Sequence, residues 1–331
     1  MENYWDNKNV LVTGGTGFIG TWLSKELLDK GANLYCITNN TPSDNTNFYK
    51  LGLLEKTRIT IKDLAVVNPE TIKEYLEKNE ISAVFHLAGQ PILSKAMANP
   101  FDTININILG TAKVLEACRR CETKLESIVI SSSINAYGGN GIHACKEDDP
   151  LRGIFPYEVS MASLDSIAQS YATTFNMPIG VARFSNIYGP GDLNFERLIP
   201  ASIKNILNNE KIELKNNGET QRGFLHVYDA VQGLICLAEH VNKNEADDGV
   251  FNFGPDETCK TLEVVNILIN YSKSGDNNLV LIPGHPTKER TDQFLDTKKS
   301  KRIIGWNPQI KLEQGLADTF DWYKKYLNSE K

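Results

Sequence analysis

Three glycines near the start of the chain are spaced to bind the phosphates of a dinucleotide. Gly14, Gly17 and Gly20 follow an apolar run at 10–13 and open a segment of helical pattern that ends at Gly31. In such a strand–turn–helix unit the glycines permit a tight turn, close approach of the backbone to a pyrophosphate, and close packing of helix on strand. A purely structural glycine turn is the alternative. We predict a dinucleotide site formed by Gly14, Thr16, Gly17, Phe18, Ile19 and Gly20.

The residue that would select between NAD and NADP is uncharged. An acidic residue about 20 positions after the turn ordinarily binds the adenosine ribose of NAD, whereas an arginine accommodates the 2′-phosphate of NADP. Here the second predicted strand ends in Thr38-Asn39-Asn40-Thr41-Pro42, which contains neither. Asn40 can hydrogen-bond the ribose hydroxyls without charge, and we expect NAD as the cofactor.

Alternating strand and helix patterns place the glycine turn in a parallel sheet. Each of the first five apolar runs is followed by a helical pattern or by a long loop that leads to one. Repeated β–α units predict an α/β fold, a Rossmann-type doubly wound parallel sheet that binds ligands at the carboxyl ends of its strands. The predicted strands are 10–13, 33–38, 58–61, 83–87, 127–131 and 179–184.

The second half of the chain predicts a smaller, loop-rich lobe. Turn signals at 188–192 and 215–219 separate helical patterns at 198–207, 227–239, 262–271 and 312–327, with a short strand at 250–253. We predict an NAD-binding Rossmann domain over residues 1–185, to which residues 226–255 return. Residues 186–225 and 256–331 are predicted to form a C-terminal substrate-binding lobe.

Composition and charge exclude several functional classes. The 331 residues carry a net charge of −6, which predicts no nucleic-acid or anionic-membrane surface. No stretch of 18 apolar residues occurs, and the polar start lacks the apolar core of a signal peptide, so we expect a cytoplasmic protein. Cys118 and Cys121 form a C-x-x-C pair that could be redox-active or bind zinc. Because no second pair accompanies them, we expect reduced thiols and no metal site.

Three further segments, together with the glycine turn, resemble the extended short-chain dehydrogenase/reductase family of NAD-dependent nucleotide-sugar epimerases and dehydratases. They read His86-Leu-Ala-Gly-Gln90, Asn107-Ile-Leu-Gly-Thr111 and Ser131-Ser-Ser-Ile-Asn-Ala-Tyr-Gly138, the last followed by Tyr157. Several other segments look most like CDP-glucose 4,6-dehydratases, including W-x-x-K-x-V-L-V-T-G at 5–14 and N-F-G-P-D at 252–256. The similarity runs nearly from end to end.

The resemblance implies a role for each matching position. Ser133 and Tyr157 fall at the catalytic positions. A nucleotide sugar would be bound by Ser133, Asn186, Arg197, Arg222 and Arg290, although a surface ion pair is the alternative for Arg197 and Arg290. His226 is expected to be structural. Relatives commonly dimerise through two helices, here at 107–121 and 157–176, so we expect a homodimer. Further cofactor contacts are implied for Asp63, Leu64, Leu87, Ala88, Gln90, Asn107, Ser131 and Tyr157.

One departure from the family pattern makes Tyr157, the expected base, harder to ionise. The family places a lysine four residues after the tyrosine, and Met161 stands there. A charge at about 4 Å is worth about 4 kcal/mol at an effective dielectric of 20, so its loss raises the tyrosine pKa by roughly two to three units. Met161 could also be a space-filling residue or an inactivating substitution.

A second departure removes the groups that eliminate water. Dehydratases carry acidic or basic residues directly after the catalytic serine, where this chain has Ile134 and Asn135. We expect no substitute from His143, Lys146 or Glu147. The segment looks instead like that of 4-epimerases, so we favour an NAD-dependent enzyme that transfers hydride at sugar C4. A 4,6-dehydratase with altered catalytic residues and a catalytically impaired NAD and nucleotide-sugar binding protein remain alternatives.

Overall fold

Seven parallel strands form the central sheet in the part of the chain described by the computed structural model, residues 3–64, 67–138, 144–243, 249–273, 279–283 and 294–329. The order across the sheet is β11-β6-β5-β4-β1-β2-β3. The strands are β1 (Asn9–Thr13), β2 (Asn33–Thr38), β3 (Thr57–Ile61), β4 (Ala83–His86), β5 (Ser127–Ser133), β6 (Ile179–Phe184), β7 (Asn186–Tyr188), β8 (Ile212–Leu214), β9 (Gln221–Arg222), β10 (Phe224–His226), β11 (Val250–Phe253), β12 (Cys259–Lys260) and β13 (Leu279–Leu281).

Helices cover both faces of this sheet. One apolar cluster contains residues of α1, α9 and α11, and a second, on the opposite face, contains residues of α3, α6 and α7. The helices are α1 (Phe18–Asp29), α2 (Asn47–Lys50), α3 (Pro69–Lys78), α4 (Leu93–Ala98), α5 (Pro100–Ile104), α6 (Gly110–Arg120), α7 (Pro156–Phe175), α8 (Leu198–Asn208), α9 (Val227–Asn242), α10 (Thr261–Ser272), α11 (Lys298–Ile304) and α12 (Leu312–Ser329).

The α/β, doubly wound parallel architecture expected from the sequence is confirmed. The strand order reverses between β1 and β4, and ligands of such sheets bind outside the carboxyl ends of the strands at this point. A third apolar cluster joins α8, α10 and α12 beyond that edge. Within 226–255, β11 pairs with β6 and α9 packs on the sheet, while the division into two domains stays a prediction.

Strand β5 is two residues longer than the sequence pattern predicts. Ser132 and Ser133 pair with Arg183 and Phe184 of β6, although serines do not have the apolar character of a buried strand. The extension carries Ser133 to the edge of the sheet. None of the described helices combines the length and the apolar character that a lipid bilayer would require.

A buried ion pair holds this end of β5 against helix α7. The Arg183 guanidinium donates to both carboxylate oxygens of Asp165 at 2.8 Å, and the Ser132 hydroxyl donates to the same carboxylate at 2.6 Å. Arg183 also donates to the Tyr137 hydroxyl at 2.7 Å. Both charged side chains are almost completely buried. These hydrogen bonds fix the backbone on either side of Ser133.

We predict that Asp165→Asn lowers the free energy of unfolding by about 3–5 kcal/mol, because Arg183 would then hold a buried charge without its counter-ion. Urea unfolding followed by circular dichroism measures the change. The control is Asp29→Asn, which breaks the exposed Lys25–Asp29 pair on α1 and should change stability little. Equal effects of the two substitutions would show that the buried pair does not hold β5 and α7 together.

Candidate functional site

A cavity of about 910 Å³ opens where the central strands end. Every described residue that was predicted to contact cofactor or substrate, or to take part in the reaction, lines this one cavity. Arg290 lies outside the described residues. The cavity also contains groups for which the sequence predicted no role, notably His86, Asn135, Lys62 and Lys95. His86 belongs to one of the motifs that carry the family resemblance, but its type alone does not indicate what it does.

The glycine turn is pressed against the loop that follows β4. Gly14 has a φ of +70°, and a Cβ on it would lie 2.9 Å from backbone atoms of Ala88. A Cβ on Gly20 would lie 2.1 Å from the Gly14 carbonyl oxygen. Gly17, which caps α1, donates its N–H to the Gly14 carbonyl at 3.0 Å. The resulting cradle presents a helix N-terminus to the cavity and fits a pyrophosphate.

Neutral groups lie at the end of β2, where the adenosine ribose is expected. The Thr16 and Thr38 hydroxyls hydrogen-bond each other at 2.9 Å, and Thr38 donates to the Asn40 carbonyl at 3.2 Å. The exposed Asn40 side chain lines the cavity at the end of β2. Lys62 lines the same region after β3, and Asp63 and Leu64 follow it. The Asn40 position therefore carries neither the negative charge typical of NAD sites nor the arginine typical of NADP sites.

A buried hydrogen-bond chain through His86 supports the floor of the cavity. Thr111 donates to the Asn107 carbonyl at 2.6 Å, so its hydroxyl oxygen accepts from His86 Nε2 at 3.0 Å. His86 Nδ1 then accepts from the Thr13 hydroxyl at 2.7 Å. Burial lowers the pKa of His86 to about 4. The histidine is therefore neutral at neutral pH and connects the end of β1 to helix α6.

Asn107 fixes the loop that follows β4. It lies in a π-helical turn (Asn105–Leu109), a distortion that often occurs at functional sites. Its Oδ1 accepts from the Gln90 backbone N–H at 2.7 Å, and its Nδ2 donates to the Gln90 carbonyl at 3.2 Å and to the Ser160 hydroxyl at 2.9 Å. These bonds connect the loop to the π-helical turn and to α7.

Ser133 and Tyr157 both line the cavity wall. Ser133 ends β5, and Tyr157 lies in the first turn of α7. Burial raises the pKa of Tyr157, while the Arg197 charge and, to a smaller extent, the Ser133 hydroxyl act in the opposite direction. One turn later Met161 is 7% exposed and packs in the apolar cluster beneath the cavity. The methionine supplies neither a charge nor a donor at the lysine position.

The residues that follow Ser133 face in two directions. Ile134 is 2% exposed and packs in a separate apolar cluster with Tyr137, Cys145 and Leu295. Asn135 lines the cavity and donates its Nδ2 to Ser133 Oγ at 3.0 Å. Neither side chain can transfer a proton.

Two of the three residues weighed as substitutes, Lys146 and Glu147, do not line the cavity. The side-chain oxygen Oε1 of Glu147 accepts from the Asn252 backbone N–H at 2.9 Å, and Glu147 does not line the cavity. Lys146 is exposed on the surface. His143 lies outside the described residues.

Three of the predicted substrate-binding residues, Asn186, Arg197 and Arg222, line the cavity from segments that follow β6. Arg197 donates to the buried Asp192 carboxylate at 2.9 Å and is 35% exposed, so it is partly paired yet still lines the cavity. Arg222 and Asn186 line it from β9 and β7. His226, in contrast, accepts the Tyr228 backbone N–H through Nδ1 and caps α9, a structural role as expected.

A family model described as GDP-mannose 4,6 dehydratase matches residues 11–319. The chain belongs to this family. It is 28% identical to a CDP-glucose 4,6-dehydratase of Salmonella typhimurium, over 99% of this chain and 94% of that protein. The expected resemblance to nucleotide-sugar dehydratases and epimerases is thereby confirmed.

Solved structures of this fold include both reaction types. A dTDP-glucose 4,6-dehydratase from Bacillus anthracis in complex with NAD superposes with a TM-score of 0.84 at 26% identity, covering 96% of this chain and 97% of that one. An epimerase from Methanothermobacter thermautotrophicus gives 0.87 at 25% identity, covering 99% and 95%. Membership in the GDP-mannose 4,6-dehydratase family therefore does not distinguish dehydration from epimerisation. The residues of the site must distinguish them.

The low pKa of His86 predicts acid-sensitive stability. An unfolded histidine has a pKa near 6.5, so between pH 6.5 and 4 the unfolded chain binds a proton that the folded chain excludes. Stability therefore falls as the pH decreases through this window, by about 2 kcal/mol per such histidine at pH 5. Burial also lowers the pKa of His226 to about 4, so both histidines contribute.

Urea unfolding at pH 7 and pH 5 tests this prediction. His86→Gln should be less stable than the unsubstituted protein at pH 7 but should lose less stability between the two pH values. An identical loss in both proteins would show that His86 does not titrate in this window.

Proposed function

We propose that this chain is an NAD-dependent oxidoreductase that acts at C4 of a nucleotide-diphosphate sugar, with epimerase-type chemistry and without elimination of water. One observation carries the proposal: the Ser133–Tyr157 pair lines the cavity, while Ile134, at the elimination position, is buried in an apolar cluster. The residues for moving a hydroxyl proton are present, and those for removing a C5 proton are replaced.

The glycine-turn cradle and the residues around it fit NAD. Backbone N–H groups at the start of α1 would hold the pyrophosphate, Asn40 the ribose, and Asp63 with Leu64 the adenine. The loop after β4 and Asn107 would line the central section of the cofactor. When bound, NAD supplies reversible hydride acceptance from the sugar carbon. The NAD-bound dTDP-glucose 4,6-dehydratase that shares this fold supports the assignment.

The proton chemistry belongs to Tyr157 and Ser133. Tyr157 accepts the proton of the C4 hydroxyl as the hydride leaves C4, and Ser133 donates a hydrogen bond to the same oxygen. In the return direction Tyr157 gives that proton back to the C4 oxygen. Turning the keto sugar within the cavity between the two steps would give the C4 epimer. Because no bond at C5 or C6 breaks, this sequence needs neither an acid nor a base at residue 134 or 135.

The diphosphate of the substrate would lie against the lobe side of the cavity. Arg222 and Arg197 supply planar sets of donors that suit phosphate oxygens, and Asn186 lies nearby. Arg290 stays a predicted contact. The CDP-glucose and dTDP-glucose named for relatives support a nucleotide sugar as the substrate class, which includes CDP-, UDP-, GDP- and dTDP-hexoses.

Met161 favours a second candidate function. Without a cation one turn after Tyr157, the phenol is a weak base at neutral pH. A protein that binds NAD and a nucleotide sugar with little turnover is therefore the alternative, in which the same cavity serves recognition alone.

We also propose a homodimer formed through α6 and α7. Leu109, Val159 and Phe175 are large apolar side chains in or beside these helices, and each is more than a third exposed. Exposed apolar residues of this kind are typical of association surfaces. Location in the cytoplasm stays a prediction.

The test of function is incubation of the purified protein with NAD and each of the four nucleotide hexoses, with product sugars identified by NMR and nicotinamide absorbance followed in parallel. The proposal expects slow formation of a C4 epimer. A 4-keto-6-deoxy sugar would contradict it. Tight binding of NAD and a nucleotide hexose without any turnover would favour the alternative.

Met161→Lys should accelerate hydride transfer by roughly 100-fold at neutral pH, because a lysine charge would lower the pKa of Tyr157 by about two units. Single-turnover absorbance measures the rate. Met161→Leu controls for a change of side chain without charge and should bring no acceleration. If the lysine variant is no faster than the leucine variant, the missing charge does not limit the rate.

Asn40→Asp should weaken NADPH binding at least about tenfold relative to NADH, because a carboxylate would repel the 2′-phosphate. Asn40→Ala removes the same amide without adding charge and should affect both nucleotides alike. Fluorescence titration with each reduced nucleotide gives the two dissociation constants. If Asn40→Asp weakens the binding of NADPH and NADH equally, the ribose does not lie beside residue 40.

A further inference from the structure

A second cavity, of about 650 Å³, adjoins the first at the beginning of helix α1. Gly17 and Phe18 line both cavities, so a pyrophosphate held by the N-terminus of α1 would border both of them. Residues 191–197 line the second cavity, as do Pro91 and Lys95. Two segments, one before α8 and one after β4, therefore meet beside the phosphate cradle.

The strap, as we call residues 189–197 between β7 and α8, is anchored in its first half. Trp22 of α1 donates its indole N–H to the Pro190 carbonyl at 2.7 Å. The buried Tyr323 of α12 donates its hydroxyl to the Asp192 carbonyl. Because α1 begins at the phosphate cradle, these bonds hold the first half of the strap beside the cradle.

The second half of the strap is attached to α4 by an exposed hydrogen bond. Ser94 donates its hydroxyl to Glu196 Oε2 at 2.5 Å, and both side chains are exposed. Within the described residues, no other hydrogen bond joins α4 to the strap. The carboxylate acceptor strengthens this bond, while competition from water allows it to open and re-form. The attachment at α4 is therefore reversible, in contrast to the anchored first half.

The charges on either side of this bond distinguish two possible roles of Glu196. Lys95 follows Ser94, Arg197 follows Glu196, and both cations line the two cavities. These cations attract a diphosphate, although Arg197 also pairs with Asp192, whereas the Glu196 carboxylate repels it. If Glu196 acted through its charge alone, its removal would slow the release of a bound dinucleotide. If Glu196 acts by holding the strap closed, its removal would speed that release.

We propose that the Ser94–Glu196 hydrogen bond is a latch that closes the strap over the diphosphate of the bound nicotinamide nucleotide and limits its exchange. The proposal rests on the proposed function, because an oxidoreductase that returns the hydride to the same sugar regenerates its cofactor in every cycle. Such an enzyme has no need to exchange the cofactor. Slow release keeps the reduced nucleotide in the cavity until the keto sugar has been reduced again.

The rates of NADH binding and release test the proposal without requiring turnover. Stopped-flow fluorescence gives the association rate on mixing with NADH and the release rate on displacement by excess NAD. Ser94→Ala should raise both rates about three- to tenfold, because the latch is a barrier to entry and to exit alike. The dissociation constant for NADH, which is the ratio of the two rates, should change less than about twofold.

Two further variants identify the bond as the cause. Ser94→Thr keeps the hydroxyl and should retain the slow rates of the unsubstituted protein. Glu196→Ala removes the acceptor and should raise both rates as Ser94→Ala does. The double variant should be no faster than either single variant, because both substitutions break the same bond. Both positions are exposed, so these substitutions should leave the fold intact, which circular dichroism verifies.

Unchanged rates in Ser94→Ala, or slower release in Glu196→Ala, would overturn the proposal. So would effects of the two substitutions that multiply in the double variant. A dissociation constant that rises as much as the release rate would also contradict it, because the substitution would then have damaged the binding site instead of opening a gate. Failure of the oxidoreductase function would appear separately, as absence of product in the incubation with nucleotide hexoses.

Discussion

The close contact between the glycine turn and the loop after β4 is the constraint on which the site depends. Gly14 lies against Ala88 with no space for a Cβ, and Gly20 lies against the carbonyl of Gly14 in the same way. This packing places the N-terminus of α1 at the point where the strand order reverses. The Asn107 side chain then fixes the loop from its other side. Any side chain at either glycine would separate these elements and distort the phosphate cradle.

The cavity wall that carries Ser133 is built on a second rigid element, the extended end of β5. The Arg183–Asp165 pair holds Ser132, and Ser133 follows at the cavity. The site therefore keeps its framework, and Tyr157, Ser133, Arg197 and Arg222 line its substrate end. Asn135, a neutral residue, stands at a position where dehydratases carry an acidic or basic residue. This combination favours reversible oxidation at one carbon over elimination between two.

Much of the framework was predictable from local patterns, because buried parallel strands read as apolar runs and helices as periodic ones. Strands 33–38, 179–184 and 250–253 match the structure at both ends. The end of β5 was missed because Ser132 and Ser133 are polar, and their strand geometry depends on β6. The roles expected for Ser133 and Tyr157 came from the family resemblance, since neither spacing nor composition distinguishes these residues.

What the sequence could not indicate is the direction in which side chains face. Ile134 is buried, Asn135 donates two hydrogen bonds to Ser133, and Arg197 pairs with Asp192. Each of these features depends on contacts between segments distant in sequence or on local turn geometry. The neutral His86 is a similar case, because its two partners come from β1 and α6. Such contacts decide the protonation state of a group, and residue type alone does not.

The most direct measurement is a crystal structure of this protein grown with NAD and a nucleotide hexose. The account predicts a dinucleotide across the Gly14–Gly20 turn, with its nicotinamide ring and the C4 hydroxyl of the sugar both in contact with the Tyr157 phenol. A dinucleotide bound elsewhere, or a sugar whose C4 lies away from Tyr157, would contradict it.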